Sequence, residues 1–140
     1  MRLPLASRLT GATALLAALA LTLAACGGGG GGKTDIAGVK ANDHGTKDVT
    51  NLTQLEIEQD NYYFNPSVLK GKPGQKLTIE LKNETSDTEH NFSQSAQNIN
   101  KDVAAGKTET VTVTFPASGI ISFFCEYHKD MGMAGGLQSS

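Results

Sequence analysis

Residues 51–140 predict an all-β domain, an antiparallel sandwich or barrel, and three observations carry that expectation. Apolar side chains recur at every second position in Leu55/Ile57, Leu77/Ile79/Leu81, Val111/Val113/Phe115 and Ile121/Phe123, which is the period of a half-buried strand. Turn-forming clusters such as Gly71-Lys72-Pro73-Gly74 and Pro116 to Gly119 separate these runs. No stretch beyond residue 26 has convincing helical spacing. With 140 residues, 39% of them hydrophobic, there is room for one small core.

Taken in order, the chain opens on a leader. Arg2 and Arg8 precede an uncharged Ala/Leu-rich stretch from Gly11 to Leu23, so residues 1–25 read as a secretory signal too short for a comfortable membrane span. Leu23-Ala24-Ala25-Cys26 resembles a bacterial lipobox, which implies a lipoprotein signal and lipidation of Cys26 after cleavage. Residues 26–50 then read as a tether: six glycines from Gly27 to Gly32 lead into a polar segment without apolar periodicity. About 24 flexible residues would span roughly 25 to 30 Å. His44 lies in this segment and is expected to be a solvated linker histidine.

The first strand is expected near Leu55 and Ile57, after which Tyr62 to Pro66 turns the chain and Val68-Leu69 forms a short edge segment. Lys76 to Lys82 is the cleanest strand, with Leu77, Ile79 and Leu81 inward. His90 and Phe92 should share a side, and Ser93 to Ala105 reads as irregular with one helical turn. Thr108 to Phe115 alternates again. On the returning run Ile121, Phe123 and Cys125 share a face, so Cys125 ends a row of core residues. Gly136 to Ser140 has little apolar content for a closing strand.

The chemistry gathers at the end of that run. Cys125, His128, Met131 and Met133 fall within nine residues, and soft sulfur with imidazole selects copper among first-row metals. Two His, one Cys and a weak axial Met is the donor set of a blue copper centre. His90 is the candidate second imidazole. If Cys26 is lipidated, Cys125 is the only thiol left in an oxidising compartment, and ligation would protect it.

The spacing Cys125-x-x-His128-x-x-x-x-Met133, with the distant His90-Asn91, resembles plastocyanin and the wider cupredoxin family. Pro73-Gly74, Gly106 to Phe115 and Met133-Ala134-Gly135 extend the resemblance over roughly residues 52–137. The family implies a Greek-key β-sandwich holding one copper through His90, Cys125, His128 and Met133, with Asn91 pinning the ligand loops. It implies a carrier of single electrons whose exit ligand is His128, here rimmed by the small or apolar Met131 to Gly135. Cys125-x-x-His128-x-x-Met131 fits a shorter, amicyanin-like spacing; Gly132-Met133-Ala134-Gly135 favours Met133.

Other classes fit less well. The Cys-x-x-His pair has no companion pair for a closed zinc site, and three His are too few for a multicopper oxidase. With the strong positions filled by protein no open site remains for substrate, so the expectation is not an enzyme. Setting aside the leader's two Arg leaves ten Lys against 14 acidic residues, a balance of −4 that suits no nucleic acid. The expected setting is extracytoplasmic, in the periplasm or at the cell surface, with membrane-bound redox partner proteins; the alternative is a copper carrier or buffer serving a membrane oxidase.

Overall fold

The computed structural model describes residues 32–140. The expected signal peptide and Cys26 lie outside the described residues. Two sheets face each other. One holds β4 (Gln54–Asp60), β5 (Tyr63–Asn65), β7 (Lys76–Asn83) and β10 (Thr108–Thr114) in the order β10-β7-β4-β5. The other holds β3 (Thr46–Asp48), β6 (Val68–Gly71), β8 (His90–Gln94), β9 (Ile99–Val103), β11 (Ile120–Phe124) and β12 (Ala134–Ser139) in the order β3-β6-β12-β11-β8-β9. A separate hairpin of β1 (Lys33–Ile36) and β2 (Val39–Asn42) precedes them. Helical structure among the described residues amounts to the single turns Ser95–Gln97 and Lys129–Met131.

The core lies where the two inner faces meet. Leu77, Ile79, Leu81, Val111, Val113 and Phe115 enter it from the first sheet, Leu69, Phe92, Phe123, Cys125 and Leu137 from the second. Ile121 is half-buried against the same cluster. Beneath Cys125, the rings of Phe64, Phe92 and Phe123 pack together: Phe64 meets Phe123 edge-on at 5.1 Å and Phe92 stacks on Phe123 at 4.7 Å. Such offset and edge-to-face contacts add to the apolar area already buried. They make a rigid floor under the ligand loop.

Pairing is mixed rather than wholly antiparallel. β4 and β7 run parallel, as do β6 and β12, and β3 and β6. Parallel neighbours need a crossover connection, and the sandwich supplies it: between β4 and β7 the chain passes through β6 in the opposite sheet.

Three stretches depart from expectation. Lys33 to Asp48 carries three strands rather than an irregular tether, with Ile36 and Ala41 buried and Val49 buried just after the third. Ile36 and Ala41 join Val68 and Ala134 in a second apolar cluster, against which Val39, Ile120 and Phe124 pack. The hairpin thus covers the outer face of β6, β11 and β12. Second, β6 is an interior strand, flanked by β3 and β12, because the segment read as tether provides its outer neighbour. Third, Ile99–Val103 is a strand paired with β8, where a polar irregular segment was expected. Its apolar signal is confined to Ile99 and Val103, since Asn100 and Asp102 take up bonds from Asn91.

The closing strand β12 is complete despite its composition. A Cβ on Gly135 would collide with the Ser67 carbonyl and the Phe123 ring, and one on Gly136 would lie 2.7 Å from Ile120 and Ile36. Glycine is what lets this strand lie between the aromatic core and the hairpin.

Candidate metal centre

His90 opens β8, and Cys125 directly follows β11 in the same sheet, so two adjacent strands deliver these side chains to one end of the sandwich. His128 comes from the loop that leaves β11. That loop closes on itself: the His128 N–H donates to the Cys125 carbonyl at 3.2 Å, and the Met131 and Met133 N–H groups donate to the His128 carbonyl at 3.0 and 3.1 Å. Gly132, at φ 96°, takes the left-handed turn that returns the chain. The Cys125 N–H then donates to the Met133 carbonyl at 2.9 Å, placing Met133 beside the thiol's own backbone.

The donor atoms of His90, Cys125 and His128 lie within 4.8 Å of one another. The two imidazoles meet Nδ1 to Nδ1 at 3.2 Å, and the Cys125 Sγ is 3.5 Å from His128 Nδ1. His90 is fully buried, and its Nε2 has no hydrogen-bond partner. Met133 and Cys125 are fully buried, whereas Met131 is 51% exposed. Of the two candidate methionines the fold therefore brings only Met133 into the core beside the thiol.

These donors fit a soft cation. Burial, then the neighbouring His128, pulls the His90 pKa down to about 4, so the imidazole is neutral and a lone pair is free. Burial also lowers the His128 pKa. Burial raises the Cys125 pKa, while backbone N–H groups of Asn91, Tyr127 and His128 pull the other way and favour the thiolate. Two imidazole nitrogens and a thiol gathered within 4.8 Å form a set that one metal ion satisfies at once.

Asn91 braces the surroundings. Its Nδ2 donates to Asn100 Oδ1 at 2.6 Å and Asp102 Oδ1 at 2.9 Å, and its Oδ1 accepts from the Ser93 hydroxyl at 2.9 Å and the Glu126 N–H at 3.3 Å. One buried amide thus ties β8, β9 and the ligand loop together. The Tyr127 hydroxyl donates to the same Asp102 carboxylate at 2.7 Å, which pushes the tyrosine pKa up to about 12; the Asn91 amide, and then this hydroxyl, lower that of Asp102. Sequence reasoning did not find Asp102; nothing in a polar stretch distinguishes it from a solvated acid.

The rim differs from expectation. Ala134 and Gly135 are buried beneath the hairpin and against Phe123, so they cannot ring the site. The exposed apolar groups at this end are Met131, Tyr127 at 50% and Tyr62 at 37% exposure. The Tyr62 ring leans on His128 with centroids 4.8 Å apart. His44 lies apart from the donor group, stacked on Tyr63 at 3.6 Å.

A β-sandwich with one thiol and two imidazoles converging at one end defines a single-copper protein. The chain belongs to the cupredoxins: the family model for the cupredoxin-like domain matches residues 14–137. Solved structures share the fold at low identity. Reduced auracyanin from Roseiflexus castenholzii is 22% identical, with a TM-score of 0.54 over 63% of this chain and 97% of that one. Auracyanin A, a "blue" copper protein from Chloroflexus aurantiacus, is 22% identical with a TM-score of 0.53 over 69% of this chain and 100% of its own. The metal-binding domain of the Streptococcus pneumoniae Cu(I)-exporting P-type ATPase CopA, solved with Cu(I), gives a TM-score of 0.58 at 12% identity over 69% of this chain and 97% of that one. A search of curated proteins by sequence finds no match.

Proposed function

We propose that this cupredoxin is a lipid-anchored carrier of single electrons, with one copper held by His90, Cys125, His128 and Met133. The observation that supports it most is the convergence of two Nδ1 atoms and one Sγ in a buried space beside the buried Met133. Copper bound there supplies a one-electron couple. The protein's part is to hold donors that suit both oxidation states in one rigid frame, so that little has to move when charge changes. His90 is sealed in the core; His128 is half-buried under Tyr62, so a partner comes closest to the site through His128. No strong position remains open for a substrate, which speaks for transfer rather than catalysis.

Addition of Cu(II) to the full chain tests this. The expected product is intensely blue or green, and Cys125→Ser abolishes the colour. Retention of the colour and the copper content in Cys125→Ser would overturn the assignment. Met133→Gln is expected to keep copper and lower the reduction potential, while Met131→Gln leaves it in place; the opposite pair of results would favour the amicyanin-like spacing.

The anchor follows from Leu23-Ala24-Ala25-Cys26. Because β1 begins at Lys33, only Gly27 to Gly32 separate Cys26 from the folded domain. Six residues reach about 20 Å at full extension, so the domain is held near an extracytoplasmic membrane face, within reach of membrane-bound redox partners. Among the described residues no helix is long and apolar enough to cross a membrane. Cys26→Ala should release the protein from membranes without altering its copper spectrum.

Copper delivery is the second reading, favoured by the likeness to a Cu(I)-bound exporter domain. The thiol divides the two, since a Cys125 thiolate with two imidazoles suits a reversible couple. Irreversible voltammetry, together with transfer of Cu(I) to a chelator within one mixing time, would favour delivery.

A further inference from the structure

The N-terminal hairpin does more than cover an apolar face. Asn42, the last residue of β2, donates its own N–H to the Gly132 carbonyl at 2.8 Å. Its side-chain Nδ2 donates to the Met131 carbonyl at 3.0 Å and the Tyr62 carbonyl at 2.9 Å. Lys33, opposite Asn42 in the hairpin register, donates from Nζ to the Asp130 carbonyl at 3.2 Å. Three consecutive carbonyls of the ligand loop, Asp130, Met131 and Gly132, are therefore held by two hairpin residues. The fit is close: a Cβ on Gly132 would lie 2.8 Å from Asn42 Oδ1.

These carbonyls sit between His128 and Met133. Within the loop the returning bonds run to the His128 and Lys129 carbonyls, and the Cys125 N–H holds the Met133 carbonyl at its close; the stretch from Asp130 to Gly132 between them is tied to the sandwich by the hairpin. From outside the loop, Asn91 holds it at Glu126 and Asn42 holds it at Met131 and Gly132. Tyr62, whose ring leans on His128, is held through its carbonyl by the same Asn42 amide. Planar amide geometry lets one Nδ2 serve two carbonyls from separate segments. Ile36 and Ala41, packed on Val68 and Ala134, press the hairpin against the sheet and so brace the amide.

We propose that Asn42 is a positioning residue for the metal centre, which clasps the loop between His128 and Met133 to the N-terminal hairpin and thereby sets where Met133 and the Tyr62 cover stand. The proposal rests on the ligand assignment above for its effect on copper, but not for the clasp itself. It ties the segment that leads to the membrane anchor directly to the ligand loop.

Hydrogen exchange on the metal-free full chain reads the clasp alone. In Asn42→Ala the amides of Met131, Gly132 and Met133 should exchange about tenfold faster, the factor that one or two ordinary hydrogen bonds represent. Amides of Ile79 and Val111, in the opposite sheet, should keep their rates. Asn42→Asp preserves shape and removes the Nδ2 donor, so it should reproduce the loop effect even if Ala loosens the whole hairpin. In the copper-loaded chain both variants should shift the reduction potential and the ratio of the visible bands, which a merely structural role would leave in place. Parent-like loop exchange in both variants, or acceleration at Ile79 and Val111 in step with the loop, would overturn the clasp. Failure of copper to bind would instead sink the ligand assignment and leave the exchange result standing.

Discussion

The two sheets of this sandwich bury their residues differently. β7 alternates strictly, with Leu77, Ile79, Leu81 and Asn83 buried and their neighbours exposed or half-exposed, and β10 repeats the pattern around Val111 and Val113. In the other sheet all five residues of β8 and the first four of β12 are buried. One sheet has a wet face; in the other the β1–β2 hairpin covers β6, β11 and β12, and exposed residues are left on the flanking strands β3 and β9. A sheet buried on both faces cannot write its strands as alternation. It is also the sheet that carries His90 and Cys125, where water must be kept from the donors.

The largest expected effect lies where both sheets meet. Phe123→Ala removes a ring packed on Phe64 and Phe92 and should cost about 3 to 5 kcal/mol in urea unfolding of the metal-free chain. A loss well under 1 kcal/mol would mean that β11 presents its other face to the core.

The glycines of β12 sharpen the contrast. Gly135→Ala drives a methyl into the Ser67 carbonyl and the Phe123 ring, and overpacking of this kind costs about 1 to 3 kcal/mol. Copper affinity should fall with it, since Met133 lies two residues away. Thr112→Ala, on the exposed face of β10, should stay within about 0.5 kcal/mol. If the two substitutions proved equal, the second sheet would have more room than its packing indicates.

A pH series reads the dry end of that sheet. The unfolded chain protonates His90 near the ordinary value of 6.5, whereas the folded metal-free chain does so only near 4. Between these values the unfolded state binds more protons, so stability should be level above pH 6.5 and decline progressively toward pH 4. His128, lowered by burial, acts in the same direction. Urea midpoints followed through this window should fall, and less steeply in His90→Gln. A constant midpoint would mean that His90 is not held neutral in the core.

What was legible in the sequence follows the same division. The alternating strands of the first sheet, the shared face of Ile121, Phe123 and Cys125, and the candidate donors His90, Cys125, His128 and Met133 could be named because local period and donor chemistry are written in neighbouring residues. Lys33 to Asp48 could not. Its polar composition matched a tether, and only the apolar outer face of β6, β11 and β12 gave Ile36 and Ala41 something to bury against. Ile99–Val103 was hidden likewise, because its exposed polar residues Asn100 and Asp102 look like loop in sequence although both bond Asn91 in the fold.

The sequence by itself determined the fold class and the kind of metal, because two-residue periodicity and soft ligands with imidazole are local properties, and the Cys125-x-x-His128 spacing with His90-Asn91 carried the family resemblance. Tertiary structure alone decided which methionine is buried, which residues ring His128, and that a hairpin clasps the ligand loop. Met131 and Met133 carry the same side chain two residues apart; the left-handed turn at Gly132, together with the bonds that join the Met133 backbone to His128 and Cys125, separates the exposed one from the buried one.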